Sequence, residues 1–158
     1  MNTKLEMGYL LYRTKGVVQH AAVYLGNHKV LHNSPSGGVE IISYEEYAQD
    51  KEVKVVKTDH LNCEALKARL VLIFEQDLTY SKYLNNCEHI ATLLIEGRKY
   101  SPQLRAAIIS AILVGGLSLK TGKGNPLLLA GVGAIAGLFL VNTLREYDAT
   151  IPAIKNAN

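Results

Sequence analysis

Apolar and polar positions divide the chain into a first part with short alternating runs and a last part with long unbroken ones. Met7–Tyr12 reads as a short strand. Val17–Leu25 and His28–Asn33 are rich in Val, Tyr and Leu and are separated by Gly26-Asn27, a hairpin signal. Ser34-Pro35-Ser36-Gly37-Gly38 is a loop, and Val39–Ile42 a further strand. Ser43 with Glu46 three residues on fits a capping box, so a short helix is expected to about Asp50. Val53–Lys57 alternates and predicts another strand. Asn62 caps a helix reaching about Asp77, and Leu78–Leu84 is a loop. Asn85 or Asn86 starts a helix that Gly97 ends, and Ser101-Pro102 opens the next. Strands come early and helices late, which predicts an α+β fold rather than a parallel α/β sheet.

The long apolar runs are Ala106–Leu119 and Leu127–Leu144, about 21 Å and about 27 Å as helices, against a hydrocarbon core of about 30 Å. Lys120 and Lys123 are the only charged residues between Ala106 and Leu144, and they sit in the Gly-rich break between the runs. Neither run shows a polar stripe. A C-terminal apolar helical hairpin in a membrane is therefore expected over 106–146, following a globular part over 1–105 and preceding a tail over 147–158. A buried helical pair of a soluble core is the alternative. Gly133 and Gly137 form a small-xxx-small pattern through which helices can associate, within the chain or between copies. Arg98, Lys99, Arg105 and Arg145 flank one end of the runs, which places the globular part on the cytoplasmic side.

The remaining composition narrows the function. A net charge of +3 with no aromatic-plus-basic cluster gives no case for nucleic acid as a partner. The two cysteines, Cys63 and Cys87, form no CxxC, so neither a disulfide framework nor a zinc signature is expected. Met1–Val18 holds only one short apolar run, so no secretory leader is expected.

Chemistry gathers at Asn86-Cys87. A thiol at a helix start feels the positive end of the dipole and unpaired N–H donors, which favour the thiolate. His20 and His32 lie on the two strands of the hairpin. A two-residue loop at Gly26-Asn27 puts them on opposite faces. A three-residue loop or a one-residue bulge pairs His32 with Ala22 and puts both on one face, together with Tyr24. One imidazole would then take the thiol proton and the other would orient it. His89 is rotated by about 200° from Cys87 on the helix and does not serve as its base. His28 at the turn and His60 in a loop read as surface residues. Zinc on His20, His32 and Cys87 lacks a fourth ligand, and no metal or cofactor is expected.

His20-Ala21-Ala22-Val23-Tyr24-Leu25-Gly26, then Val30-Leu31-His32, then Asn86-Cys87-Glu88-His89-Ile90-Ala91 resembles the lecithin:retinol acyltransferase family, over about Tyr9 to Arg105. Gly97, Ser101, Gln103 and Arg105 keep that family's spacing after the cysteine. Val18 and Gln19 stand where family phospholipases tend to carry an aromatic. The family lies within the wider superfamily of NlpC-type cell-wall peptidases. The resemblance implies a circularly permuted papain-like fold, an antiparallel sheet plus helices. It makes Cys87 the nucleophile, His20 the general base and His32 the orienting residue. Tyr24 and Asn86 fall in the surroundings of the pocket and the oxyanion site. The implied reaction is acyl transfer from a membrane lipid through a thioester. An amidase or peptidase of the cell-wall type, or a non-enzymatic membrane protein like some viral relatives, are the other readings.

Overall fold

A computed structural model of the chain describes residues 4–59, 61–76, 81 and 86–153. Asn85, His60 and most of Leu78–Leu84 lie outside the described residues. The described chain forms two units. One comprises residues 1–14, 20–100 and 146–158, the other residues 15–19 and 101–145.

The first unit is built on a six-stranded antiparallel sheet. In chain order the strands are β1 (Leu10–Lys15), β2 (Val18–Gly26), β3 (Lys29–Ser34), β4 (Gly38–Ser43), β5 (Val53–Val56) and β6 (Ala149–Ile151), and in space they run β4-β3-β2-β1-β5-β6. The predicted first strand starts later than expected. Gly8 departs from extended geometry at φ +92 while its N–H still bonds the Tyr24 carbonyl, and the strand runs instead from Leu10 through Arg13 to Lys15. Residues 147–158 are more than a tail, because Ala149–Ile151 pair with Val53–Val55 and extend the sheet.

Period-2 alternation gives the sheet two buried faces. Leu11, Ala22, Tyr24, Val30, Val53 and Val55 pack on one side under the short helix α1 (Tyr44–Ala48), which contributes Tyr44, Tyr47 and Ala48. Tyr12, Ala21, Val23 and Leu31 face the other way. They meet Leu66 and Ile73 of α2 (Cys63–Glu75) and Ile90, Ala91 and Leu94 of α3 (Cys87–Glu96). Leu11, Val23 and Leu94 are fully enclosed. Each such side chain contributes roughly 1.5–3 kcal/mol by leaving water. Leu11→Ala alone would cost about 2–5 kcal/mol because the sheet cannot collapse into the gap.

Side chains fix the helix starts as the sequence predicts. Ser43 accepts from the Glu46 N–H and Asn62 Oδ1 from the Ala65 N–H. Gly97 ends α3 in the left-handed region at φ +74, a conformation that costs glycine nothing.

The second unit holds α4 (Pro102–Thr121) and α5 (Pro126–Leu144), each opened by a capped proline: Ser101 caps α4 and Asn125 caps α5. Both helices are long and apolar enough to cross a membrane. Small residues let them approach closely. A Cβ at Gly133 would lie 2.5 Å from the Ser110 carbonyl oxygen, and one at Gly137 would collide with the Ala106 carbonyl and Ser110 Oγ. The stripe from which self-association is expected is thus filled by α4 of the same chain. The outer faces carry exposed Ile108, Ile112, Leu113, Leu117, Val132, Phe139 and Leu140. Gln103 makes a two-way pair with the Gln19 backbone, accepting its N–H at 2.8 Å and donating to its carbonyl at 2.9 Å.

Candidate active site

Asn86 is extended at φ −81, ψ 176, and its Oδ1 accepts the His89 N–H at 3.0 Å. His89 Nδ1 accepts the Asn86 N–H in return, at 3.4 Å. This reciprocal cap sets Cys87 at the first helical position and commits both Asn86 and His89 to holding the helix start.

Cys87 Sγ accepts the backbone N–H of Ala21 at 3.4 Å, so the thiol lies against the peptide that follows His20. Burial pushes this thiol above its ordinary value. The N–H groups of Ala21, Glu88 and Cys87 itself pull the other way, and the neighbouring Glu88 charge adds to the upward push. The helix-start donors expected from the sequence are present, but desolvation outweighs them.

The hairpin solves the placement of the histidines with a bulge. Ala22 pairs with His32 and Tyr24 with Val30, the register then shifts, and Gly26 pairs with Lys29. The turn itself is Asn27-His28, at φ 48 and φ 56, rather than Gly26-Asn27. Two residues at positive φ match the right-handed twist of the strands. As a result His20 and His32 share one face. His20 Nε2 and His32 Nδ1 are 2.9 Å apart with the rings nearly perpendicular, and both residues are buried.

Two further residues hold this pair, and the sequence reading did not single them out. Tyr47 stacks on His20 with ring centroids 5.7 Å apart and meets His32 edge-on. Its hydroxyl donates to the His20 carbonyl at 2.6 Å and shares that proton with the Leu11 carbonyl at 3.0 Å. Glu40 stands opposite His32 on β4, and its Oε1 lies 3.2 Å from His32 Nε2. Signals for both were present. Ser43 as N-cap puts Tyr44, Tyr47 and Ala48 on one side of α1. Counting outward from the Ser34–Gly38 loop sets Glu40 across from His32.

Burial holds the His32 imidazole below its ordinary value. Glu40 opposes that shift and the Arg13 guanidinium adds to it. Arg13 is itself buried over the Tyr47 ring and donates to Gln49 Oε1.

Tyr24 shares the face of the histidines, but its hydroxyl accepts the His28 N–H at the hairpin turn. His28 is exposed beside Glu45 at 3.4 Å. Cys63 is exposed at the start of α2. Among the described residues, no three His, Cys, Asp or Glu side chains gather so as to hold a metal ion.

A model of the NlpC/P60 family matches residues 1–57. That span carries β1 to β5 with both histidines, Glu40 and Tyr47, and it ends before Cys87. No curated protein matches the chain. The match makes residues 1–57 similar to the NlpC/P60 superfamily, whose enzymes use a cysteine nucleophile.

Proposed function

We propose that the chain is a membrane-tethered acyl-transfer enzyme of the lecithin:retinol acyltransferase type, with a circularly permuted papain-like catalytic unit. The observation that carries this reading is the contact between His20 and His32 on the strand whose next peptide meets the Cys87 thiol. The order His–His–Cys along the chain is the permuted one, and the two apolar helices suit an enzyme whose substrate is a lipid.

In this reading His20 Nε2 is engaged with His32 and Nδ1 is the nitrogen assigned to take the proton from Cys87 Sγ, whose contact with β2 is the Ala21 N–H. The resulting thiolate is buried, and an adjacent imidazolium offsets the desolvation that raises the isolated thiol. The thiolate attacks the ester carbonyl carbon of a phospholipid. Backbone N–H groups at the start of α3 receive the oxyanion. Collapse breaks the acyl C–O bond, and the alcohol leaves with the proton from His20. Water, an amine or an alcohol then gives its proton to His20, attacks the thioester and releases the Cys87 thiolate. The charge bias at the helix ends supports a cytoplasmic side for this unit.

Intact-protein mass after incubation with mixed phospholipids tests the proposal. An acyl-sized increment is expected, and Cys87→Ala should abolish it. The family match favours a second reading, an amidase or peptidase, which would leave phospholipid untouched and cleave an acyl-peptide amide instead. Absence of both reactions would leave a non-enzymatic membrane protein.

A further inference from the structure

We propose that Glu40 is a positioning residue, which holds the proton on His32 Nε2 and thereby turns the basic nitrogen of His20 toward the thiol. The inference rests on the acyl-transfer reading above.

The steps follow from hydrogen-bond chemistry. A carboxylate only accepts, and at 3.2 Å from His32 Nε2, without hydrogen-bond alignment, its charge favours hydrogen on that nitrogen. Burial keeps His32 neutral at pH 7, so its Nδ1 is then an acceptor. The 2.9 Å contact therefore requires His20 Nε2 to donate. A neutral His20 with hydrogen on Nε2 is basic at Nδ1. The same chain stabilises the imidazolium once His20 takes the thiol proton, because the carboxylate lies at its far end.

The loop before β4 is built around that carboxylate. Ser34 Oγ donates to Glu40 Oε1 at 3.1 Å while accepting the Gly37 N–H at 2.9 Å. A Cβ at Gly37 would lie 2.5 Å from Glu40 Oε1 and 2.8 Å from Oε2. Gly37 is not at positive φ, so alanine fits its backbone and displaces only the carboxylate. The groups acting on His32 are Glu40 from β4, Arg13 from β1, Glu46 from α1, His20 from β2 and the Tyr47 edge.

The test is the pH profile of Cys87 alkylation by iodoacetamide, from pH 5.5 to 10, on the full chain in detergent and read by peptide mass. Glu40→Ala and Gly37→Ala should each raise the apparent pKa by about one unit, making alkylation about tenfold slower at pH 6.5. The rate near pH 10 should stay unchanged, because there the thiol ionises without help. Glu64→Gln, an exposed carboxylate paired with Lys67, should leave the profile alone. If Glu40→Ala does not fold, Gly37→Ala decides, since it retains the carboxylate and moves it. Folded variants with the wild-type profile would overturn the role of Glu40. His20→Ala separates the two levels. If it shifts the profile while Glu40→Ala and Gly37→Ala do not, only this inference falls. If His20→Ala leaves the profile unmoved, the acyl-transfer reading falls with it.

Discussion

The imidazoles of His20 and His32 meet at 2.9 Å because the β2–β3 hairpin carries one surplus residue between Tyr24 and Gly26. The bulge absorbs the odd residue and restores the parity that keeps both rings on one face. Deleting Leu25 should therefore leave a regular two-residue hairpin around Asn27-His28 with the rings still together. The cost should be no more than the packing of one half-buried leucine, about 1–2 kcal/mol. Urea unfolding and the Cys87 alkylation profile check this. Loss of both would mean that the bulge does more than correct register.

Reactivity of the two thiols should invert on one substitution. Burial raises Cys87, whereas Cys63 is exposed. With His20 accepting its proton, Cys87 should alkylate faster than Cys63 at pH 6–7. In His20→Ala the burial outweighs the remaining N–H donors and Cys87 should become the slower thiol. Competitive alkylation with peptide mass readout measures the order directly. A Cys87 slower than Cys63 in the wild type would mark it as a structural residue.

Acid should destabilise the fold from about pH 6.5 downward. His32 and His89 are both held below their ordinary value, in each case by burial first. As pH falls through about 6.5 the unfolded chain binds protons that the folded chain refuses, so stability present above that pH is lost. Protonated His89 also cannot accept the Asn86 N–H. His89→Gln keeps an acceptor at that position without titrating. It should flatten part of the decline in urea midpoint between pH 6.5 and 5.

Alkali should act through the tyrosines. Burial pushes Tyr44 up to about 12 and Tyr47 well above its ordinary value. The unfolded chain releases those protons first, from about pH 10, so stability falls as pH rises from there through the folded values. Tyr47→Phe should remove part of that slope. At neutral pH it should cost about 1–3 kcal/mol, because the buried His20 carbonyl loses its hydroxyl donor. Denaturant unfolding at pH 7 and pH 11 separates the two effects.

The full chain should sediment with membranes and resist extraction by high salt. Replacing residues 102–145 with a short flexible linker should release a soluble protein. That protein should retain Cys87 reactivity toward small reagents and lose most turnover of bilayer lipid. Equal turnover of vesicle lipid by both proteins would show that the helices are not a substrate-access device. A chain simply cut at residue 105 is a poorer comparison, because it also lacks β6.

What the sequence revealed was local. Ser43, Asn62, Asn86, Gly97 and Pro102 act within one turn of themselves, so the helix boundaries follow from single residues. The faces of His20 and His32 depend on one residue of parity, and Gly26-Asn27 permits either outcome. Strand β6 has only three residues, and its partner β5 lies far away in the chain, so no local signal marks it. The Cys87 thiol shows the same limit. Its helix-start donors are written next to it, but the burial that outweighs them comes from strands folded over it.

The return of Ala149–Ile151 to the sheet sets an order of events during synthesis. A ribosome delivers β1 to β5 and the Cys87 helix first, then the two apolar helices, and only then the strand that covers the outer edge of β5. That edge keeps its N–H and C=O groups unpaired while the hairpin is still emerging. The nascent domain therefore finishes its last ladder after the helices have met their surroundings. It also hangs from both ends of the hairpin, so one protease cut in the Lys120–Asn125 turn would not set it free.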